Sequence, residues 1–496
     1  MKIQSIKLTN YRCFESLTLE FSAAHNLHVL LAENMVGKSA LLKALRVSAG
    51  SFLNSFSQVP PGIDKSDHRV IGPNPLANLS RECRIETRAI IYDEALQPQE
   101  IVWEKYRNKP VNERTKIKTT RGPDIKRLSS RIYDSVAEDQ KGALPLLLFL
   151  GTEYIHLAKA STKTLDMDGS ALQGYWYCMS ERSMETYVFD WLAHMDTLVR
   201  EAENNRVADR LYGDLPEVSL QLFQKVVKGF LPDIADVAWI INPKPPQDAT
   251  MRNGGETGYQ DKVLAFMLEN GDVRTYPMLS DGYRYLVLLA GEMATRALLL
   301  NKHLGITVNE HIPGVVLIDE FGIHLHPGLQ REALQRLTAM FPKVQFIVST
   351  HSPMLVNGLD KEQIHILEID PVTQKRIHRQ PEQDVVGLGA EGILLELFGM
   401  ETTFDKETIA NLERLKDLIR KQSSMDLDQQ EKAELKQLQV ETSHLSYERA
   451  ELDPLYQKLT EELKRLSQND TQTRGVQDYD ALANEAIQKV IQDLSR

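Results

Sequence analysis

Gly37, Lys38 and Ser39 stand together in "AENMVGKS" at residues 32–39. A glycine, a long-stemmed cation and a small hydroxyl, placed directly before an apolar helix pattern, suit an anion-binding turn. Backbone N–H groups at a helix start point at phosphate oxygens. The Lys38 ammonium would reach the β- and γ-phosphates, and the Ser39 hydroxyl would offer an oxygen to Mg²⁺. The loop residues assigned to nucleotide are Asn34, Val36, Gly37, Lys38, Ser39 and Ala40. One residue departs from the spacing G-x-x-x-x-G-K-S/T. Ala32 holds the place of the first glycine. If the backbone there needed positive φ, alanine would cost roughly 1–2 kcal/mol.

Three other segments could complete such a site. "GVVLIDE" at 314–320 is an apolar strand ending in adjacent carboxylates. Asp319 is suited to hold a Mg²⁺ shell with Ser39, and Glu320 to orient and deprotonate an attacking water. The plainer reading is a polar loop start. "VQFIVSTHSP" at 344–353 again ends an apolar strand in polar residues, Ser349, Thr350 and His351. The helix pattern between these two strands predicts a right-handed crossover to a neighbouring parallel strand. That would bring His351 toward the γ-phosphate. In "LSDGYR" at 279–284, Ser280 and Gly282 open a helix pattern. They suit a second anion contact, or in Ser280 an ordinary N-cap.

These groups need rigid elements behind them. "LTLEF" at 17–21 alternates as a half-buried strand does, while "LHVLL" at 27–31 is continuously apolar, as in a strand covered on both faces. "LPLLLFLG" at 144–151 reads the same way. Residues 160–262 read as largely helical, interrupted by "NPKPPQ" at 242–247. Strand patterns return at 263–268, 315–318, 344–348 and 364–369. The last hundred or so residues read as helices, with Asp405 as an N-cap and Asp428 with Glu431 as a capping box. An apolar stripe runs from Tyr479 to Leu494. It suits internal packing or a partner chain. The expected fold class is α/β.

Bulk composition narrows the function. The net charge is −11 and the pI about 5.7, so no chain-wide positive field draws the protein to nucleic acid or anionic lipid. Cys13, Cys83 and Cys178 are scattered and form no metal or disulfide pattern. No apolar run is long enough to span a bilayer. These features predict a soluble, cytoplasmic protein without a membrane partner. One segment, 104–131, is strongly basic, with ten Lys/Arg against three Asp/Glu. It reads as a solvated hairpin or as a phosphate-contacting surface carried by Lys105, Arg107, Lys116 and Lys118.

The order of "AENMVGKS", "LSDGYR", "VVLIDE" and "STHSP" resembles the ATP-binding-cassette ATPases of the RecF/SMC/OLD-like branch. "HLHP" at 324–327 and the opening "IQSIKLTNYRCFESLTLEF" are similar to the same branch. The resemblance implies an ABC-type P-loop ATPase head with a mixed sheet, a helical insertion and a C-terminal helical region. ATPase lobe I would be 1–158, the insertion 159–262, lobe II 263–392 and a partner-docking helical region 393–496. It implies ATP and Mg²⁺ as cofactors, Glu320 and His351 as catalytic residues, and a head-to-head dimer in which Ser280 and Gly282 act in trans. It also implies that His324 and His326 are not metal ligands. Gln58 is a candidate for the Q-loop.

"DVVGLGAEGILLELFGM" at 384–400 is similar to the PtuA-like ATPase subunits of Septu-type antiphage systems, also associated with retrons. That resemblance implies a separately encoded HNH-type nuclease partner, a higher-order assembly built from dimers, and no nuclease activity in this chain. DNA, or a retron RNA/DNA, stands as a further possible partner. Two alternatives stay open: a RecF-like repair ATPase on duplex DNA, and an ATP-binding scaffold with little turnover.

Overall fold

A computed structural model describes residues 1–56, 61–73, 79–80, 82–93, 97–108, 123–139, 143–152, 170–180, 185–202, 213–241, 262–400, 402–424 and 427–442. The chain divides into two units, Met1–Glu401 and Thr402–Arg496.

The first unit is built on three sheets. β1 (Lys2–Tyr11), β2 (Phe14–Glu20), β4 (Glu82–Tyr92) and β5 (Pro98–Asn108) form an antiparallel sheet in the order β2-β1-β4-β5. Their alternating patterns leave one face packed and the other wet. The second sheet carries the candidate site. Its strands are β3 (Leu27–Ala32), β6 (Leu146–Leu150), β10 (Gly314–Ile318), β11 (Val344–Ser349), β12 (Ile364–Ile369) and β13 (Arg376–Arg379), in the order β13-β12-β3-β11-β10-β6. The five strands from β12 to β6 are parallel, and β13 closes the edge antiparallel to β12. Every residue of β3, β6, β10 and β11 is buried, which is why these strands read as unbroken apolar runs.

A buried polar residue locks the two sheets together. The Gln345 side chain accepts from Ile3 N at 2.7 Å and donates to Ile3 O at 2.8 Å, so the amide stands in for a missing strand neighbour.

The third sheet corrects the reading of 160–262 as largely helical. Helices Glu185–Ala202 and Leu215–Phe230 are there, but β7 (Ile234–Ile241) follows them and pairs with β8 (Lys262–Leu268), which pairs with β9 (Val273–Thr275). In "IADVAWII", Val237 is buried while Asp236, Ala238 and Ile240 are exposed, a period of two rather than 3.6. Residues 242–247 lie outside the described residues.

The helix Asp281–Leu300 is buried along most of its length. Inside it, Glu292 and Arg296 form a fully buried ion pair, and Arg296 Nη1 also donates to Gly174 O (3.0 Å) and Trp176 O (2.8 Å). The described part of 159–262 is thereby tied to this helix by charge-assisted bonds.

In the second unit, helices Lys406–Ser424 and Gln429–Thr442 bury Leu418, Leu427, Leu435 and Leu438 between them. Asp405 Oδ1 accepts from Glu407 N and Thr408 N, both at 3.0 Å. Asp428 and Glu431 exchange the two bonds of a capping box, at 2.7 and 3.2 Å. The stripe Tyr479–Leu494 lies outside the described residues. Helix Ala390–Glu396 belongs to the first unit, so the compact units divide slightly after the expected boundary at 393.

Candidate functional site

β3 ends at Ala32, and helix Lys38–Ala49 begins six residues later. The turn between them sits at the C-terminal edge of a parallel sheet, where open α/β folds bind ligands. Ala32 pairs with Leu367 of β12 and is buried as an extended strand residue. Its substitution for glycine therefore carries no αL cost. The strain lies at Met35, with φ 67 and 93% exposure, and at Gly37, with φ 130. Gly37 also has no room for a side chain: a Cβ there would stand 2.6 Å from Phe14 Cζ and 2.7 Å from Cys13 Sγ. Both its conformation and its surroundings thus demand glycine.

Lys38 is buried at 5% exposure, and its Nζ donates to Ala32 O at 2.7 Å, curving back over the loop. Burial lowers its pKa, and the charges of Glu320 and Asp319 oppose that shift. The lysine, at the start of the helix after β3, and the two carboxylates, just after β10, therefore share one electrostatic environment, although β11 runs between β3 and β10. Ser39 and Ala40 follow in the first turn of the helix; Asn34 is exposed and Val36 buried.

β11 is the spacer that organises the carboxylates. Ser349, at its end, is fully buried. Its Oγ donates to Asp319 Oδ1 at 2.5 Å and accepts from Glu320 N at 2.9 Å. Phe321 N donates to Ser349 O at 2.9 Å. Glu320 turns at φ 56, a left-handed conformation that non-glycine residues seldom adopt. Its carboxylate Oε1 lies 3.4 Å from His351 Nε2, both side chains being partly open to solvent. Behind this pair, Gln330 Nε2 donates to Gly322 O (2.7 Å) and Leu325 O (3.0 Å), while its Oε1 accepts from Ser352 Oγ at 2.6 Å. Lys38, Asp319, Glu320 and His351 are thus brought together. Ser349 and Gln330 were not assigned roles in the sequence. Ser349 carried a weak signal as a polar strand end, and Gln330, inside an ordinary amphipathic helix, carried none.

Ser280 and Gly282 stand at the start of helix Asp281–Leu300. Ser280 caps its helix by accepting from Tyr283 N at 3.4 Å. Gly282 lies against the segment after Glu320, where a Cβ would meet His324 O at 2.6 Å. Among the described residues, no hydrogen bond joins either to Gly37–Ala40. His326 is an N-cap, its Nδ1 accepting from Gly328 N at 3.2 Å. Among the described residues no group of three or more His, Cys, Asp or Glu could hold a metal ion. No described helix is long and apolar enough to cross a membrane.

The basic segment loses two of its four named cations as phosphate contacts. Lys105 is 4% exposed and donates to Pro61 O at 3.0 Å; burial lowers its pKa to about 8. Arg107 Nη1 donates to Ile63 O at 2.7 Å. Both are spent on holding the preceding loop. Lys116, Lys118 and the Q-loop candidate Gln58 lie outside the described residues.

Residues 1–356 match the AAA ATPase domain family model. The chain belongs to the AAA ATPase domain family. It is similar to a retron Vc95 probable ATPase of Vibrio cholerae serotype O1 biovar El Tor, 34% identical over 30% of this chain and 26% of that protein. It is similar to a retron Ec83 probable ATPase of Escherichia coli, 24% identical over 74% of this chain and 72% of that protein. A Septu protein PtuA of Bacillus mycoides (strain KBAB4) is 36% identical over 25% of this chain and 17% of that protein. The match to the first of these relatives thus spans about a quarter of its length. Among solved structures, an SMC head bound to the C-terminal winged-helix domain of ScpA aligns over 77% of this chain and 98% of that chain, at 14% identity and a TM-score of 0.44. The ATPase core reaches from β1 through the His351 loop, so the matched region holds all the clustered residues described above.

Proposed function

We propose that this ATPase is the nucleotide-hydrolysing subunit of a bacterial antiphage defence complex. It is of ABC type, closes head to head around ATP and controls a separately encoded HNH-type nuclease. The observation that carries the catalytic part is the joining of Asp319 and Glu320 through Ser349, with Lys38 sharing their field and His351 at 3.4 Å from Glu320. The relatives named as retron ATPases and Septu PtuA support the defence role.

The residues suit ATP with Mg²⁺. Gly37, without a side chain, lets phosphate oxygens approach the helix start, and Lys38 supplies the positive charge. Ser39 and Asp319 offer hard oxygen ligands of the kind Mg²⁺ takes. When bound, the cation neutralises charge on the β- and γ-phosphates. Glu320 orients a water for in-line attack and takes up its proton, while His351 steadies Glu320 and reaches toward the γ-phosphate. Ser280 and Gly282 would serve the partner subunit's nucleotide. The helical tail is our choice for the nuclease-docking region.

Two measurements test this. Lys38→Ala should weaken ATP binding about a hundredfold or more, since a charge-assisted contact to phosphate is lost; unchanged affinity would remove the loop from the site. Purification from the native operon should bring down a small HNH protein. A recombination mediator in its place would overturn the defence assignment.

A further inference from the structure

Val36 O, the carbonyl directly before Gly37, faces into the protein and is held there. Arg376 Nε donates to it at 3.0 Å, and Arg376 Nη1 donates to Cys13 O at 3.2 Å. Cys13 Sγ donates to the same Val36 carbonyl at 3.6 Å. One guanidinium thus spans the turn after β1 and the loop after β3, two segments that both lie hundreds of residues away in sequence. A planar fork with donors at fixed separation bridges two carbonyls in a set geometry, whereas the donors of an ammonium share one rotatable nitrogen.

The strand that presents Arg376 is itself anchored. β13 pairs with β12 through Ile369↔Arg376 and Leu367↔His378, and it packs against β2. Across β13, β12 and β3 runs a row of histidines. His378 Nε2 lies 3.0 Å from His365 Nδ1, and His365 Nε2 lies 3.2 Å from His28 Nδ1. A neutral imidazole has one donor and one acceptor nitrogen, so both inter-ring contacts can be made head to tail, while His28 Nε2 at the end of the row is buried without a partner. This fixes the edge hairpin against the strand that feeds the loop.

We propose that Arg376 is a positioning residue for the nucleotide: by holding the Val36 and Cys13 carbonyls inward, it sets the peptide planes of the loop so that the following N–H groups face phosphate. The inference rests on the nucleotide-binding reading of residues 32–40. Turning one carbonyl inward orients the next N–H outward, because the peptide unit is planar. Loss of the fork would let the peptides at 35–37 rotate, with no change in Lys38 or in the carboxylates.

Cys13 makes the idea measurable in a second way. Its sulfur touches the space that a Gly37 side chain would occupy, and the other two cysteines, Cys83 and Cys178, are fully buried. Thiol labelling at Cys13 therefore reports on the order of the loop. Burial raises the Cys13 pKa and the Arg376 charge opposes this. Removing the charge alone would make the thiol less acidic and slow its labelling. Faster labelling in an Arg376 variant therefore requires a looser loop.

The experiment compares wild type, Arg376→Ala, Arg376→Lys and Lys38→Ala as full chains. It measures affinity for a fluorescent methylanthraniloyl-ATP and the rate of N-ethylmaleimide modification at Cys13, located by mass spectrometry. Arg376→Ala should bind about tenfold more weakly or worse, the scale of a lost charge-assisted hydrogen bond, and label several-fold faster. Arg376→Lys, which keeps the charge and one contact, should fall between and covers the case in which the alanine variant does not fold. Affinity within twofold of wild type in the folded Arg376 variants would overturn the proposal, even if labelling rose, because the residue would then be only structural. Normal binding by Lys38→Ala would instead overturn the nucleotide reading, and this inference with it.

Discussion

Glu320 occupies a strained backbone position, φ 56, at the point where the chemistry is proposed. Such conformations cost on the order of 1–3 kcal/mol and persist where surrounding bonds over-determine them. Here Ser349 Oγ holds Glu320 N, and Ser349 O holds Phe321 N. The strained turn lifts the Glu320 side chain off the β10 face and toward His351. Glu320→Gln keeps the shape and loses the base. Turnover should fall about 10²–10⁴-fold, the usual contribution of a general base, with nucleotide affinity nearly unchanged. Steady-state hydrolysis beside equilibrium binding checks this, and unimpaired turnover would remove Glu320 as the base. Met35 is the second strained non-glycine at the site. Its side chain is almost wholly exposed, so Met35→Gly removes little packing and relieves the positive φ. Less the extra unfolded-chain entropy of glycine, the gain should be about 1 kcal/mol or below. Denaturant melting measures it, and a clear loss of stability would show that Met35 makes contacts beyond its own backbone.

At the scale of elements, the sheet places the proposed catalytic groups through its strand order. β11 lies between β3 and β10, and its terminal serine binds the two carboxylate residues that follow β10. The edge strands behave differently, because they hold ionisable groups in the interior. Burial pushes the His28 pKa down to about 3 and places that of His365 well below the ordinary histidine range; His378 is lowered too. Each therefore takes up a proton in the unfolded chain before it does so in the folded one. Stability from these residues is complete above about pH 6.5 and is lost as pH falls toward the folded values, by up to about 1.4 kcal/mol per pH unit for each histidine held neutral. Lys2 and His25 add positive charge near His28 and act in the same direction. Chemical denaturation at pH 7, 6 and 5 should show a steep decline. A flat profile across that range would mean the row is not kept neutral.

For the whole molecule, the proposed head-to-head dimer assigns Ser280 and Gly282 to the nucleotide of the other copy. Lys38→Ala protomers and Ser280→Arg protomers, each inactive alone, should recover part of the ATPase activity when mixed, since one of the two shared sites in a mixed dimer would be intact. No recovery at any ratio would place the signature residues in cis or outside the site. Gly282 adds a structural constraint on such variants, because any side chain there meets the His324 backbone at 2.6 Å. Ser280, which is exposed, is the better position to change.

Much of the ATPase core was legible in the amino-acid order. Short continuous apolar runs suit strands covered on both faces, and a run that stops at Asp-Glu or Ser-Thr-His suits a strand ending at a polar rim. Those local rules produced the parallel strands, the crossover from β10 to β11 and the gathering of Lys38, Asp319, Glu320 and His351. Other features depended on residues distant in sequence. Whether Ala32 was strained depended on where β3 ended, and the strain proved to lie at Met35. Lys105 and Arg107, read as part of a solvated hairpin or of a phosphate-contacting surface, instead hold loop carbonyls, with Lys105 buried. Arg376 and the histidine row had no local signature at all, because a carbonyl 340 residues away and an edge hairpin become neighbours only when the sheet assembles. Periodicity and motif order depend on the chain's own geometry and can be read along it. The pairing of buried polar groups depends on which surfaces meet, and only the tertiary structure decides that.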